Sequence, residues 1–185
     1  MKKLFALALI MMLSMSDIAL GKINHDKTSN QDDEEEVGNF DFIYGTQDDL
    51  NESFEKTEMI MEEAFSHLGT RYRSGAKGPS AFDCSGFTSY VYKQQADIFI
   101  GASSRDQYAR NTPISRDELQ SGDLVFFTSP RSGRNVGHVG IVVDVDPVSD
   151  TFTFIHASTN SGIKISSSDE SGYARRYVGA RRVQQ

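Results

Sequence analysis

Apolar residues first fall into a helical rhythm near Asp48, where Ile60, Ala64 and Leu68 recur four apart on one face and Gly69 stands ready to end the helix. This spacing predicts one or two helices over residues 49 to 68. A glycine-rich loop runs from Arg73 to Ser80, after which Asp83 offers a capping carboxylate to a second helix. In that helix Phe87, Val91 and Gln94 recur at helical spacing beside Tyr90, and Cys84 falls in the first turn. Beyond about Asp117 the rhythm shortens to β-rich runs: Asp123 to Phe127, Val139 to Val145, Thr151 to Ile155, Gly162 to Ile165, and Tyr177 to Val183. Helices followed by strands predict an α+β fold. Turns such as Asp146-Pro147-Val148-Ser149-Asp150 are too short for parallel crossovers, so the sheet is expected to be mainly antiparallel.

The first part of the chain follows a different pattern. Lys2 and Lys3 precede an apolar run from Leu4 to Leu13, and Ala19-Leu20-Gly21 offers small residues for a signal peptidase. Residues 1–21 are therefore expected to be a signal peptide and the protein to be exported, to the periplasm or beyond the cell. An uncleaved anchor needs about 20 apolar residues, and Ser14, Ser16 and Asp17 interrupt the run too early. Lys22, not cysteine, follows the expected cut, so no thioether-linked lipid and no stable membrane anchor are expected. Residues 22–48 are polar and acidic, which predicts a disordered linker before a single domain over residues 49–185. Net charge is −7, of which Asp32-Asp33-Glu34-Glu35-Glu36 supplies −5. The remainder is nearly neutral and carries no basic cluster with interleaved aromatics, which argues against nucleic acid as a partner.

Cys84 is the single cysteine, so an internal disulfide cannot form even in an oxidising compartment. A helix N-terminus lowers a thiol pKa, because its unpaired N–H groups favour negative charge. Asp83 opposes this, since a neighbouring carboxylate raises the pKa. Ser85 and Gly86 are small enough for a substrate carbonyl to reach backbone amides there, a candidate oxyanion hole. The plainer reading of Cys84 is a small buried hydrophobe.

Two histidines change that balance. If the runs holding His138 and His156 form a hairpin with a three- or five-residue loop near Pro147, paired residue numbers sum to 294 or 296. The numbers 138 and 156 sum to 294, so both imidazoles would share one face, directly opposed or one pair apart. An even-length loop would separate them. Such a pair suits His138 as the base for Cys84 and His156 as the group that orients His138. Each histidine alone also fits a core residue bonded to backbone. Zinc is disfavoured, because two histidines and one thiol lack a natural fourth ligand. His25 and His67 have no evident partner and are expected at the surface.

Phe82-Asp83-Cys84-Ser85-Gly86-Phe87, Ser121-Gly122-Asp123-Leu124-Val125-Phe126-Phe127, Gly137-His138-Val139-Gly140-Ile141 and Ile155-His156-Ala157-Ser158 together resemble, in order and spacing, the motifs of the NlpC family of cell-wall endopeptidases. The resemblance runs from roughly Ile60 to Val183. It implies a papain-like fold, with Cys84 on a helix packed against a sheet that carries His138 and His156. It further implies hydrolysis of the bond between γ-D-glutamyl and a diamino acid in peptidoglycan stem peptides, without a cofactor. By the same resemblance Tyr72 lies beside the thiol, and Asp83 and Ser85 help to hold the stem. Many members have Pro-Arg before the Ser/Thr-x-x-Gln segment, whereas this chain reads Gly101-Ala102-Ser103-Ser104-Arg105-Asp106-Gln107, which alters one groove wall. A separate wall-binding module is another frequent feature, and residues 22 to 48 are too few and too polar for one. The same fold and thiol also suit an N-acetylmuramoyl-L-alanine amidase or an acyltransferase. A catalytically silent wall-binding protein is the alternative from another class.

Overall fold

The computed structural model describes residues 47–184. The expected signal peptide and nearly all of the expected linker, with His25, lie outside the described residues.

Three helices precede the main sheet. Helix α1 (Gln47–Ser66) starts with Asp48 and Asp49 at its positive end. Its second half buries Ile60, Met61 and Ala64. The predicted stripe stops there: the helix ends before Leu68, which is 49% exposed, and Gly69 turns the chain with φ +81°. Helix α2 (Cys84–Ala96) is capped by Asp83, whose carboxylate accepts the Gly86 N–H at 2.6 Å. It buries Phe87, Val91 and Tyr92, whereas Gln94, predicted on the apolar face, is exposed. Helix α3 (Ser104–Arg110), which the apolar pattern did not reveal, is capped by Ser103. Its Gln107 is fully buried and ties α3 to α2: its amide NH2 donates to the Ser85 carbonyl at 3.1 Å and the Ser89 hydroxyl at 2.9 Å. Its oxygen accepts from the Thr88 hydroxyl at 2.9 Å.

The six strands are β1 (Thr112–Ile114), β2 (Leu124–Thr128), β3 (Val136–Asp146), β4 (Thr151–Ser158), β5 (Gly162–Ser167) and β6 (Tyr177–Arg182). A short helix α4 (Ser171–Ala174) joins the last two. All neighbours pair antiparallel in the order β1-β6-β2-β3-β4-β5. The edge strand β1 holds Pro113, a residue tolerated at an edge because it lacks a ladder donor, and its short polar sequence gave no strand signal. Alternation along β2 sends Leu124 and Phe126 into the core shared with α1 and α2. Val125 and Phe127 point the other way, to a second cluster with Phe152, Phe154 and Ala180 beneath Tyr173 and Tyr177.

The β3–β4 hairpin departs from the expected loop. Asp146 pairs with Thr151, Val145 with Phe152 and Asp144 with Thr153, so the paired numbers sum to 297 around a four-residue loop. A bulge between Val142 and Asp144 then takes up one residue, and Val142 pairs with Phe154 and Ile141 with Ile155, a sum of 296. The even-length loop that would have put the histidines on opposite faces is thus offset by one extra residue in β3.

Candidate active site

Register places His138 opposite Phe127 on β2 and His156 two residues beyond Phe154 on β4, so both rings stand on the Phe127 and Phe154 face of the sheet. His138 Nε2 and His156 Nδ1 are 3.0 Å apart with the rings nearly perpendicular, at 87°. Gly140 permits this approach, because a Cβ there would meet the Phe154 ring at 2.7 Å and the His156 Cβ at 3.1 Å. His156 is fully buried, and its Nε2 lies 3.2 Å from both the Ser166 and Tyr173 hydroxyls.

Burial holds both imidazoles neutral. It pushes His138 down to about 4, with the Arg176 charge acting in the same direction. It pushes His156 down to about 3, aided by His138 and Lys164. A hydrogen bond between two neutral imidazoles needs one N–H. When His138 Nε2 carries it, Nδ1 keeps a free lone pair, and His156 must then donate from Nε2 to Ser166 or Tyr173. That arrangement leaves His138 Nδ1 able to accept a proton.

Cys84 is half-buried in the first turn of α2, beside the amides of Ser85 and Val139, the residue after His138. These amides and that of Cys84 favour the thiolate, as the helix terminus led us to expect. They do not prevail: burial first and the Asp83 charge second push the thiol above its ordinary value. The resting cleft therefore holds a neutral thiol and a neutral imidazole.

Tyr72, Cys84 and His138 all line one cleft of about 960 Å³. Burial and the nearby Cys84 and Asp83 raise the Tyr72 pKa, so its hydroxyl stays a donor. Asp83 and Ser85 do not line this cleft. The Asp83 carboxylate accepts from Gly86 N at 2.6 Å, Gly75 N at 2.9 Å and the Ser85 hydroxyl at 3.2 Å, which engages both of its oxygens and the Ser85 side chain. The Gly86 amide is consequently committed to the cap, and the backbone donors left near the sulfur are those of Cys84, Ser85 and Val139. His67 also differs from expectation: its Nε2 lies 3.0 Å from a Glu63 carboxylate oxygen, and its ring packs edge-on to Phe82 at 4.9 Å.

Ser166, Tyr173 and Gln107 were not singled out in the sequence as site-building residues. Ser166 carried a readable signal, because the three-residue loop between Ser158 and Gly162 puts it on the His156 face of β5. Tyr173 had none, as its short helix follows a polar stretch. Among the described residues no group of three or more His, Cys, Asp or Glu side chains is placed to hold a metal, and no helix is long and apolar enough to cross a membrane.

The family model for NlpC/P60 matches residues 69–182, a span holding the cleft, the thiol and both histidines. The chain belongs to the NlpC/P60 family. The family comprises cysteine peptidases that act on peptidoglycan, and its papain-like α+β fold is the one described above. Probable endopeptidase p60 of Listeria grayi is 40% identical over 124 residues, covering 67% of this chain and 22% of that protein. Murein DD-endopeptidase MepS/Murein LD-carboxypeptidase of Escherichia coli K12 is 37% identical over 124 residues, covering 67% of this chain and 61% of MepS. The chain thus spans less than two thirds of either relative. A crystal structure of an NLP/P60 family protein similar to a lipoprotein, from Staphylococcus aureus, superposes with a TM-score of 0.62 at 34% identity, covering 71% of this chain and 42% of that one.

Proposed function

We propose that this NlpC/P60 protein is exported and hydrolyses peptidoglycan stem peptides at the bond between γ-D-glutamyl and the diamino acid, with Cys84 as nucleophile, His138 as base and His156 as its orienting partner. The observation that carries this reading is the 3.0 Å contact between His138 and His156 at a cleft that also holds Cys84. The leader at residues 1–21 supports export.

Catalysis starts from the neutral pair. His138 Nδ1 takes the thiol proton as sulfur attacks the scissile carbonyl, while His138 Nε2–H, held by His156 Nδ1, settles the positive charge. The Cys84 and Ser85 amides and the Tyr72 hydroxyl are the donors at hand for the oxyanion. The imidazolium then returns its proton to the departing amine, leaving a thioester on Cys84. Water, deprotonated by His138, cleaves that thioester and frees the carboxylate and the thiol. Asp83 and Ser85 act in this scheme by shaping the first turn of α2 beneath the substrate.

MepS is named for DD-endopeptidase and LD-carboxypeptidase cleavage, which supplies a second reading: the same cysteine chemistry at a cross-link or at the stem's end. Mass spectrometry of muropeptides incubated with the protein, beside Cys84→Ala, separates these. Fragments ending in γ-D-glutamate, absent with the variant, are expected. Split cross-links or loss of a terminal residue would move the assignment to the second reading, and free lactyl ends would indicate an amidase.

A further inference from the structure

Tyr173 meets both imidazoles from a segment that has little to hold it. Helix α4 is a single turn of four residues, none of them fully buried, and an isolated turn of that length has no stability of its own. Yet the Tyr173 ring reaches from it onto the sheet, edge-on to Phe154 at 4.9 Å and to Phe127 at 5.3 Å. Its plane lies within 24° of the His138 ring with the centroids 6.4 Å apart, and its hydroxyl stands 3.2 Å from His156 Nε2. One side chain thus touches both members of the pair.

Arg176 supplies what the short helix lacks. Its carbonyl accepts from the Thr128 N–H at 2.8 Å, which moors the segment to the end of β2, and its own N–H donates to the Tyr173 carbonyl at 2.9 Å. From there the side chain turns back. Its Nε–H donates to the Gly172 carbonyl, and the guanidinium carbon stands 5.0 Å from the Tyr173 ring centroid, within cation–π range. Among the described residues no carboxylate forms an ion pair with it. The guanidinium is therefore directed at α4 and the Tyr173 ring, and its charge is felt at both imidazoles.

Resting on the endopeptidase reading above, we infer that Arg176 is a positioning residue for the hydrolysis: it clamps Tyr173 across the histidine pair, and the clamped ring keeps the His138 imidazole from turning. A half-turn of that imidazole about its Cβ–Cγ bond would put Cε1 where Nε2 now meets His156, and Cδ2 where Nδ1 now stands. The turn breaks the 3.0 Å bond and moves the free lone pair out of its place. Phe127, with its centroid 6.2 Å away, and Tyr173 occupy the space the ring must sweep when edge-on. Phe127 is fully buried in the sheet, so Tyr173 is the wall that can be lost. Ser166 can stand in for the Tyr173 hydroxyl at His156, but it cannot stand in for the ring at His138.

The test compares Arg176→Gln, Arg176→Lys, Tyr173→Leu and the double variant Arg176→Gln with Tyr173→Leu, each in the full chain. In imidazole nitrogen NMR spectra at neutral pH, the native His138 is expected as one Nε2–H tautomer and each variant as a mixture of two. The His67 signal, from a ring packed on Phe82 and Tyr90, stays in place where the fold is intact, and Arg176→Lys, the mildest change, decides the matter should Tyr173→Leu unfold. With muropeptides as substrate, kcat should fall about tenfold to a hundredfold at unchanged KM in Arg176→Gln and Tyr173→Leu. Losing the charge alone would raise the His138 pKa and strengthen the base, so a fall in kcat isolates the clamp. Arg176→Lys should fall nearly as far, because an ammonium lacks the planar fork that lies on the ring. The double variant should be no worse than Tyr173→Leu, as expected of a residue that acts through another. Strictly additive losses, full activity in Arg176→Lys, a single His138 tautomer in Arg176→Gln, or a raised KM with kcat intact, which would make Arg176 a substrate contact, overturn the inference. Mixed tautomers in the variants of a chain that cleaves no muropeptide would instead sink the endopeptidase reading and leave the positioning of His138 standing.

Discussion

A buried imidazole with both nitrogens engaged is fixed in one tautomer by whichever neighbour can only donate or only accept. Hydroxyls do either, so Ser166 and Tyr173 do not dictate the His156 tautomer; they make the base-competent one affordable by accepting from Nε2–H. Each can replace the other, which predicts non-additive behaviour. Ser166→Ala and Tyr173→Phe should each lower kcat only a few-fold, whereas the double variant leaves a buried N–H unsatisfied, at about 1–3 kcal/mol, and should lower kcat by roughly tenfold to a hundredfold. The KM of the single Ser166→Ala variant should not move, because Ser166 lies outside the cleft; strictly additive losses would sink the account. A second residue-scale prediction concerns Cys84. Its raised pKa means that iodoacetamide should alkylate it ever faster as pH rises past 9, with no plateau at neutral pH. Asp83→Asn keeps the cap but removes the like charge, so the rate at pH 7 should rise several-fold. A profile already flat from pH 5 would show a resting ion pair instead.

Elements were legible where one face alone is buried. Ile60 and Ala64 gave α1, Phe87 and Val91 gave α2, and the five apolar runs gave β2 to β6, because burial on a regular face writes a period into the sequence. What failed to show follows from the same physics. Helix α3 buries only Gln107, so it has no apolar stripe, and a bulge such as that beside Val143 has no residue signature of its own. The two histidines were placed on one face by assuming an odd-length loop; the loop is even, and the bulge restores the parity. Gln107 is the structural hinge between α3 and the thiol, since it bonds the Ser85 carbonyl within the first turn of α2. Gln107→Ala should strip partners from Ser85, Ser89, Thr88 and Gly101 and destabilise the fold by about 2–4 kcal/mol in urea melts. A loss below about 0.5 kcal/mol would mean that water or neighbouring groups replace it without cost.

At the scale of the molecule, the buried histidine pair is also a liability in acid. Both histidines are neutral in the fold, near 4 for His138 and near 3 for His156, against an ordinary value of 6.5. Because these values are depressed, the unfolded chain binds protons that the native chain refuses once pH falls below about 6.5. Stability is therefore complete above that point and declines with each further drop, until the native histidines themselves protonate near 4 and 3. One proton taken up on unfolding costs about 1.4 kcal/mol per pH unit, so by pH 5 the two residues together remove on the order of 4 kcal/mol from a domain whose total stability is about 5–15 kcal/mol. His138, which keeps some exposure at the cleft, contributes the smaller share. Urea denaturation at stepped pH should show an uptake approaching two protons between about pH 6 and 4.5. His156→Asn, which cannot take up that proton, should reduce the uptake toward one and hold its stability to lower pH even though its activity falls. An unchanged slope in the variant would place the acid sensitivity outside the histidine pair.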